Sequence, residues 1–182
     1  MTTNSKEAAL APLPSFSLPL VGRVGVGGTQ NASEPGEVRP TPDVVVAAAR
    51  SWIGTPYHHQ ASLKGVGADC LGLIRGVWRD LYGTEAERPP GYSRDWGEVS
   101  GQETLIAAAA RHLVSKSTAQ AKPGDVLVFR MREGAVAKHA AILATPLTII
   151  HAIEDRLAAE IPYTAWWRRR VAAVYAFPGM HR

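Results

Sequence analysis

The chain contains one cysteine, Cys70, which follows Asp69 and opens a stretch with helical apolar spacing. A thiol becomes a nucleophile when a helix N-terminus or a cationic partner stabilises its thiolate. Nucleophilic catalysis also requires a base near the thiol and a group that orients the base. A lone cysteine cannot form an intrachain disulfide, and on its own it is most simply a small buried hydrophobic side chain.

Two histidines, His139 and His151, lie in consecutive predicted strands. A three-residue loop at 144–146 would place Leu143 opposite Leu147, and therefore His139 opposite His151. Opposed residues on one face have Cβ atoms about 4.5–5.5 Å apart, so the two imidazoles would be in contact. A two-residue loop would place them on opposite faces. The remaining histidines are expected at the surface: His58, His59, His112 and His181.

The helix start, the adjacent acid and the paired histidines together favour a nucleophilic Cys70 over a buried one. The alternative is a zinc site made from Cys70, His139 and His151. Closely spaced ligand pairs are typical of zinc sites, and this sequence has none among these residues. No metal ion and no cofactor is therefore expected.

Apolar periodicity and capping residues predict three helices before the histidines. Their bounds follow from caps and helix breakers: Thr41 to Gly54, Asp69 or Cys70 to Gly83, and the capping-box pair Ser100 and Glu103 through Val114. After Pro123 the pattern changes to four apolar or β-branched runs, which are DVLVFRM, KHAAILAT, LTIIHAIE and RVAAVYAF. Helices followed by strands predict an α+β domain in which the N-terminal helices pack on a mainly antiparallel sheet.

The first 40 residues are rich in Pro, Gly and Ser and show no sustained periodicity. Such a segment buries too little apolar surface to offset its ordering entropy, which predicts a disordered extension at 1–40 and a folded domain at 41–182. The segment is a poor match to a signal peptide, and no apolar run is long enough to span a membrane. The net charge of +4 is modest and indicates a solvated basic face more than a nucleic-acid site.

Five motifs, in the order GTPYHH, GADCLGL, KPGDVLVF, KHAAILA and IIHAIE, resemble the NlpC family of papain-like cell-wall cysteine peptidases. The similarity covers residues 43–177. It implies a papain-like fold with Cys70 as nucleophile, His139 as general base and His151 as the residue that orients the base. Tyr57, at the family's PY position, would donate its hydroxyl to the oxyanion hole. Family members mostly cleave the γ-D-glutamyl–diaminopimelate bond, or bonds near it, in peptidoglycan stem peptides.

The chain departs from the family pattern in two respects. Many members have Ser after the cysteine, where it helps to bind the free amine of the substrate, whereas this chain has Leu71. Asp69 is then the residue expected to pair with a substrate ammonium group. The chain also shows no secretion signal or wall-binding repeat, and DCLGLIRGVWRDLYG resembles the branch encoded by phages and gene transfer agents. The resemblance implies an enzyme made in the cytoplasm and incorporated into a phage-like tail, with tail proteins as partners.

Two other functions remain open. The chain is alternatively a structural tail component with little or no activity, or an amidase or acyltransferase on the same fold, because a thioester can be passed to acceptors other than water.

The stretch YTAWWRRR, with Trp166 and Trp167, is expected to form a docking surface or a solvated strand edge. The stretch ERPPGYSRDWGE is expected to form a loop on one wall of the cleft, with Trp96 as a possible core residue.

Overall fold

The computed structural model describes residues 39–93 and 101–180. The helices are α1 (Pro42–Arg50), α2 (Cys70–Tyr82), α3 (Thr104–His112) and α4 (Ala165–Arg168), with a 3-10 turn at Thr118–Gln120. The strands are β1 (Ser62–Leu63), β2 (Gly67–Ala68), β3 (Val114–Lys116), β4 (Val126–Phe129), β5 (His139–Thr145), β6 (Thr148–His151), β7 (Ala159–Pro162) and β8 (Val171–Ala176). The predictions for residues 1–38, Trp96, Ser100 and His181 lie outside the described ranges.

Six strands form one sheet in the order β3-β8-β4-β5-β6-β7, and every neighbouring pair is antiparallel. The short strands β1 and β2 form a separate antiparallel pair. The predicted α+β class, with helices packed on a mainly antiparallel sheet, is confirmed. The four predicted strands correspond to β4, β5, β6 and β8.

The predicted first and second helices are confirmed by their caps. Thr41 accepts a hydrogen bond from the Val44 amide at the start of α1. Asp69 caps α2, which ends at Gly83 with a φ of 73°, a left-handed conformation that glycine adopts without strain. These caps place Cys70 as the first residue of α2.

The capping box predicted for α3 is wrong in its register, because Glu103 lies at the N-cap and not three residues inside the helix. No side-chain cap bond forms there. The Glu103 carboxylate instead accepts a hydrogen bond from the Ala137 amide, at 2.9 Å, and pairs with Arg130 at 2.6 Å. The long-range partners of Glu103 thus take the place of a local cap.

Both faces of the sheet are buried, and alternate residues of β4 divide between them. Val126 and Val128 join the core that α1, α2 and α3 cover. Leu127 and Phe129 join a smaller core on the other face, which Trp167 and its neighbours close. Burial on both sides explains why β4 reads as a continuous apolar run.

The hairpin of β5 and β6 contains an irregularity that decides which way the histidines point. Thr145 pairs with Thr148 across a two-residue turn, but Ile142 pairs with Ile150, so the register shifts by one residue between Leu143 and Thr145. The predicted three-residue loop and the pairing of Leu143 with Leu147 are therefore wrong. A β-bulge inserts one extra residue on one strand of an antiparallel pair.

The bulge returns the two histidines to one face. With a regular two-residue turn they would point to opposite sides of the sheet. Extending the Ile142–Ile150 register by one residue sets His151 opposite Ala141, and His139 lies two residues from Ala141 on the same strand face. The two histidines are therefore diagonal neighbours, and the predicted direct opposition is replaced by a diagonal one.

Candidate active site

Cys70 lies where the N-terminus of α2 meets the start of β5. Its Sγ atom is 3.9 Å from the carbonyl oxygen of Lys138, and the backbone amide of Ala140 lies close enough to the sulphur to favour its thiolate form. These two residues flank His139. The helix and the strand therefore bring the thiol against the backbone on both sides of the predicted base.

Burial raises the pKa of the Cys70 thiol to about 12, and the neighbouring Asp69 carboxylate adds to this rise. The amides of Ala140, Leu71 and Cys70 act in the opposite direction, as expected at a helix start, but they do not outweigh burial. The resting group is therefore the neutral thiol. The predicted stabilisation of the thiolate by the helix start is therefore present, but the effect of burial on the thiol pKa is larger.

His139 and His151 form a direct pair. Nε2 of His139 lies 3.0 Å from Nδ1 of His151, and the ring planes are nearly perpendicular, at 84°. Burial lowers the pKa of His139 to about 3, with the nearby His151 adding to this effect, and burial lowers the pKa of His151 to about 4. Both imidazoles are thus neutral near pH 7, and in the tautomer in which Nε2–H of His139 donates to His151, Nδ1 of His139 is the nitrogen that can accept a proton.

Trp167 forms a wall against both imidazoles, which the sequence analysis did not anticipate. Its ring centroid is 5.6 Å from that of His139 and 5.3 Å from that of His151, and it also contacts Phe129 at 5.0 Å. Only 8% of Trp167 is exposed, so the expectation that it belongs to a docking surface is wrong. Its neighbour Trp166 is 42% exposed. No local pattern in the sequence links this residue to the histidines, because only the fold brings α4 to the face of the sheet that carries them.

The loop that contains Tyr57 runs beside the residues that precede Cys70. The Pro56 carbonyl accepts a hydrogen bond from the Ala68 amide at 2.9 Å, and Tyr57 forms a parallel bridge with Ala68. On its other side the Tyr57 amide donates to the Arg156 carbonyl at 3.1 Å. The backbone of this loop is thus anchored two residues from the nucleophile, and the oxyanion role of the Tyr57 hydroxyl stays a prediction.

The Asp69 carboxylate accepts hydrogen bonds from three segments of the chain. One oxygen accepts from the Gly72 amide at 2.7 Å, and the other accepts from the Gln60 amide at 2.7 Å and from the Tyr92 hydroxyl at 2.6 Å. With 3% of Asp69 exposed, a substrate ammonium group would have to compete with these donors. Its substrate-binding role stays a prediction.

Tyr92 itself belongs to the segment expected at the cleft wall. Its carbonyl accepts hydrogen bonds from the side chains of His59 and Gln60, and its ring meets the His59 ring edge-on at 5.1 Å. Burial and the hydrogen bond to Asp69 raise the pKa of the Tyr92 phenol, so the group stays protonated. The Tyr92 hydroxyl therefore lies against Asp69, the residue before the nucleophile, a position that its local sequence does not predict.

Among residues 39–93 and 101–180, no group of three His, Cys, Asp or Glu side chains is arranged to hold a metal ion. The same ranges contain no helix with the length and apolar character needed to cross a membrane.

Comparisons with known proteins agree with the fold. None of the curated proteins matches the sequence. Among solved structures, the chain is similar to the NlpC/p60 domain of the peptidoglycan hydrolase SagA, with 23% identity, a TM-score of 0.54, and coverage of 75% of this chain and 98% of that one. It is also similar to an NlpC/P60 family protein from Bacillus cereus ATCC 10987, with 20% identity and a TM-score of 0.58 over 76% of this chain and 41% of that one.

A third similar structure is an NLP/P60 family protein from Staphylococcus aureus subsp. aureus Mu50, described as similar to a lipoprotein. Identity is 18% and the TM-score is 0.53, over 85% of this chain and 46% of that one. The chain thus spans less than half the length of the Bacillus and Staphylococcus proteins. The NlpC/P60 family model matches residues 54–176, a segment that contains Tyr57, Cys70, His139 and His151. The chain therefore belongs to the NlpC/P60 family of cysteine-type cell-wall peptidases and hydrolases.

Proposed function

We propose that the protein is a cysteine endopeptidase that cuts amide bonds in peptidoglycan stem peptides, at the γ-D-glutamyl–diaminopimelate linkage. The observation that supports this function is the arrangement of three groups: the Cys70 thiol lies against the backbone on both sides of His139, whose imidazole is bonded to His151. The family supports a cell-wall substrate. The SagA structure, described as a peptidoglycan hydrolase, supports it further.

In this mechanism Nδ1 of His139 takes the thiol proton as Sγ of Cys70 attacks the scissile carbonyl carbon. Nε2–H of His139 donates to Nδ1 of His151, which holds the ring orientation and stabilises the imidazolium. The proton then passes to the departing amine, and a thioester remains on Cys70. A water molecule, deprotonated by His139, attacks the thioester and releases the carboxylic acid and the free thiol.

The tetrahedral intermediate of each step carries a negative oxygen. The first amides of a helix have no partner within that helix, so the Cys70 amide at the start of α2 is a suitable donor. We assign the second donor to the Tyr57 hydroxyl, since its loop is fixed beside Ala68. Loss of a single oxyanion donor typically reduces kcat by about 10²–10³-fold.

The test is mass spectrometry of peptidoglycan fragments after digestion with the wild-type protein and with Cys70→Ala. The wild type should release fragments that end at the γ-D-glutamyl residue, and the variant should release none, while its circular dichroism spectrum stays unchanged. Cleavage elsewhere in the peptidoglycan, or transfer products made with an added amine, would favour the amidase or acyltransferase alternative. Equal release by the variant would exclude the cysteine mechanism, and no release by either protein would favour the structural role.

We also propose that a phage-like tail delivers the enzyme to the wall, as the resemblance of the DCLGLIRGVWRDLYG motif suggests. Trp166 is the candidate docking residue, because it is exposed and supports the Arg170 guanidinium 3.8 Å from its ring. Trp166→Ala should reduce incorporation into purified tail-like particles more than it reduces hydrolysis. Particles that never contain the wild-type protein would rule out tail delivery and leave the catalytic proposal intact.

A further inference from the structure

A cavity of about 470 Å³ lies at the end of the sheet where β4 ends and β8 begins. We call it the arginine pocket, because four arginines and one acid, Glu133, contribute to its lining: Arg130, Arg132, Arg169 and Arg170. Arg130 is paired with Glu103, and the other three arginines outnumber the single acid of the lining, so the pocket carries a net positive charge. The composition therefore points to a negatively charged ligand.

Two of the arginines are held in place by the chain itself. Arg130 pairs with Glu103 at 2.6 Å and donates to the Ala135 carbonyl. Arg170 donates to the Met131 carbonyl at 3.3 Å and to the Trp166 carbonyl at 2.9 Å. Such fixed guanidinium groups lose little freedom when a ligand binds.

The other two arginines are available for a ligand. Arg132 and Arg169 are exposed, and within 39–93 and 101–180 neither side chain forms an ion pair or a hydrogen bond. A guanidinium group presents a planar fork of donors that matches a carboxylate with two parallel hydrogen bonds. The pocket thus combines two arginines whose side chains are held in place with two that are free to bind a carboxylate.

The pocket lies close to the catalytic pair. Phe129 pairs with His139 on β5 and with Val171 on β8, and the next amide, that of Arg130, donates to the Arg170 carbonyl at 2.8 Å. Neighbouring strands are about 4.8 Å apart, so β8 lies roughly 10 Å from the His139 backbone. An extended peptide advances about 3.3–3.6 Å per residue, so this separation corresponds to about three residues of substrate.

We propose that the arginine pocket binds a free carboxylate of the substrate, about three residues from the scissile bond. The inference rests on the proposed function, because a γ-linked stem peptide retains free carboxylates along its length. Arg132 and Arg169 then act as specificity-determining residues: a peptide whose carboxylates are amidated would lose their hydrogen bonds and bind more weakly.

The test measures binding separately from cleavage. Cys70→Ala protein is titrated by calorimetry with a synthetic stem peptide that has free carboxylates, and with the same peptide amidated at those groups. The free-carboxylate peptide should bind about tenfold or more tightly, which is the effect of a hydrogen bond to a charged group. Adding Arg132→Ala and Arg169→Ala should abolish that preference. Adding Lys122→Ala instead, which removes an exposed cation that does not line the pocket, should preserve it.

Equal affinity for the two peptides, or a preference that survives the double arginine substitution, would overturn the proposal. Hydrolysis by the wild-type protein is measured with the same two peptides. A preference in binding without hydrolysis of either peptide would contradict the proposed function and leave the arginine pocket established. Hydrolysis of both peptides at equal kcat/KM, with equal binding, would leave the proposed function intact and refute the pocket.

Discussion

His139 and His151 are buried together on one face of the sheet, and that burial determines the pH range in which the pair can act. An imidazole accepts a proton in catalysis only while it is neutral. Because the pKa of His139 is lowered to about 3 and that of His151 to about 4, the pair stays neutral well below the ordinary histidine value of 6.5.

The acidic limb of the kcat/KM profile should therefore lie near pH 3–4. As pH falls through this range, His139 becomes protonated in the free enzyme and activity is lost. The measurement is the rate of hydrolysis of a soluble stem peptide between pH 3 and pH 8, with circular dichroism at each pH to confirm folding. An inflection at pH 6.5 in folded protein would contradict the assignment of His139 as a buried base.

Trp167 packs against both imidazoles, and we expect it to act as a positioning residue that keeps water away from them. Trp167→Ala should admit water, reduce kcat and move the acidic limb of the pH profile upward towards 6.5, because a hydrated imidazole is protonated more easily. Trp166→Ala is the matched control and should leave the limb in place. A Trp167→Ala enzyme with lower activity but an unshifted limb would mean that the residue acts only through packing.

The two histidines should respond differently to substitution. His139→Ala removes the general base and should reduce kcat by about 10²–10⁴-fold. His151→Gln should reduce it less, since an amide oxygen can still accept the hydrogen bond from Nε2–H of His139. Equal losses in the two variants, measured by kcat on the same peptide, would contradict the division of roles.

At the level of the hairpin, the extra residue between Leu143 and Thr145 allows a two-residue turn while His139 and His151 share one face. Deleting Ala144 should remove the bulge and leave Leu143 opposite Ile149, so His151 stays on the face of His139 and hydrolysis is retained. Ala144→Gly keeps the bulge and should also retain activity, apart from a modest loss of stability. Loss of hydrolysis in a deletion variant that remains folded would show that the bulge itself is needed to orient the histidine pair.

Helices whose ends are marked by capping residues could be predicted from the sequence. The Asp69 cap and Gly83 locate both ends of α2, and hence the position of Cys70, because capping depends on residues only a few positions apart. The shared face of His139 and His151 was expected from the wrong register, since neither the two-residue turn nor the bulge has a distinctive residue signature here. The turn is one residue shorter than predicted, which alone would put the histidines on opposite faces. The bulge adds one residue to β5 and brings them back to the same face, so the predicted shared face was right.

Contacts between distant segments were not predictable in the same way. Trp167 reaches the site from α4 and Tyr92 from a loop, and nothing in their neighbouring residues specifies these partners. The strands β3 and β7 were missed because neither contains a buried residue, so neither shows an apolar run, and β7 ends in Pro162. Glu103 was placed correctly near a helix start, but its long-range partners override the local capping pattern.

For the whole molecule, the buried titratable groups link stability to pH in both directions. The lowered pKa values of His139 and His151 contribute stability that is present above pH 6.5 and lost as pH falls towards 3–4. The raised pKa of Cys70 contributes stability that is present below pH 9 and lost as pH rises towards 12. Stability should therefore be greatest between these two ranges.

Urea unfolding at pH 7 and pH 4.5 measures the acidic part of this dependence. The wild type should lose more unfolding free energy between the two pH values than a His139→Gln/His151→Gln variant, because glutamine does not titrate. Partly buried carboxylates such as Glu87 and Glu160 titrate in both proteins, so their effect cancels in the comparison. An identical loss in the two proteins would show that the histidines do not contribute to acid lability.

The neutral thiol of Cys70 also affects how long the protein remains intact in air. Peroxide and small disulfides react with the thiolate form of cysteine, and a pKa of about 12 leaves about one thiolate in 10⁵ molecules at pH 7. The chain has no second cysteine with which an oxidised Cys70 could form an internal disulfide. The raised pKa therefore slows oxidation of the resting sulphur, which becomes reactive when a bound carbonyl and His139 act on it together.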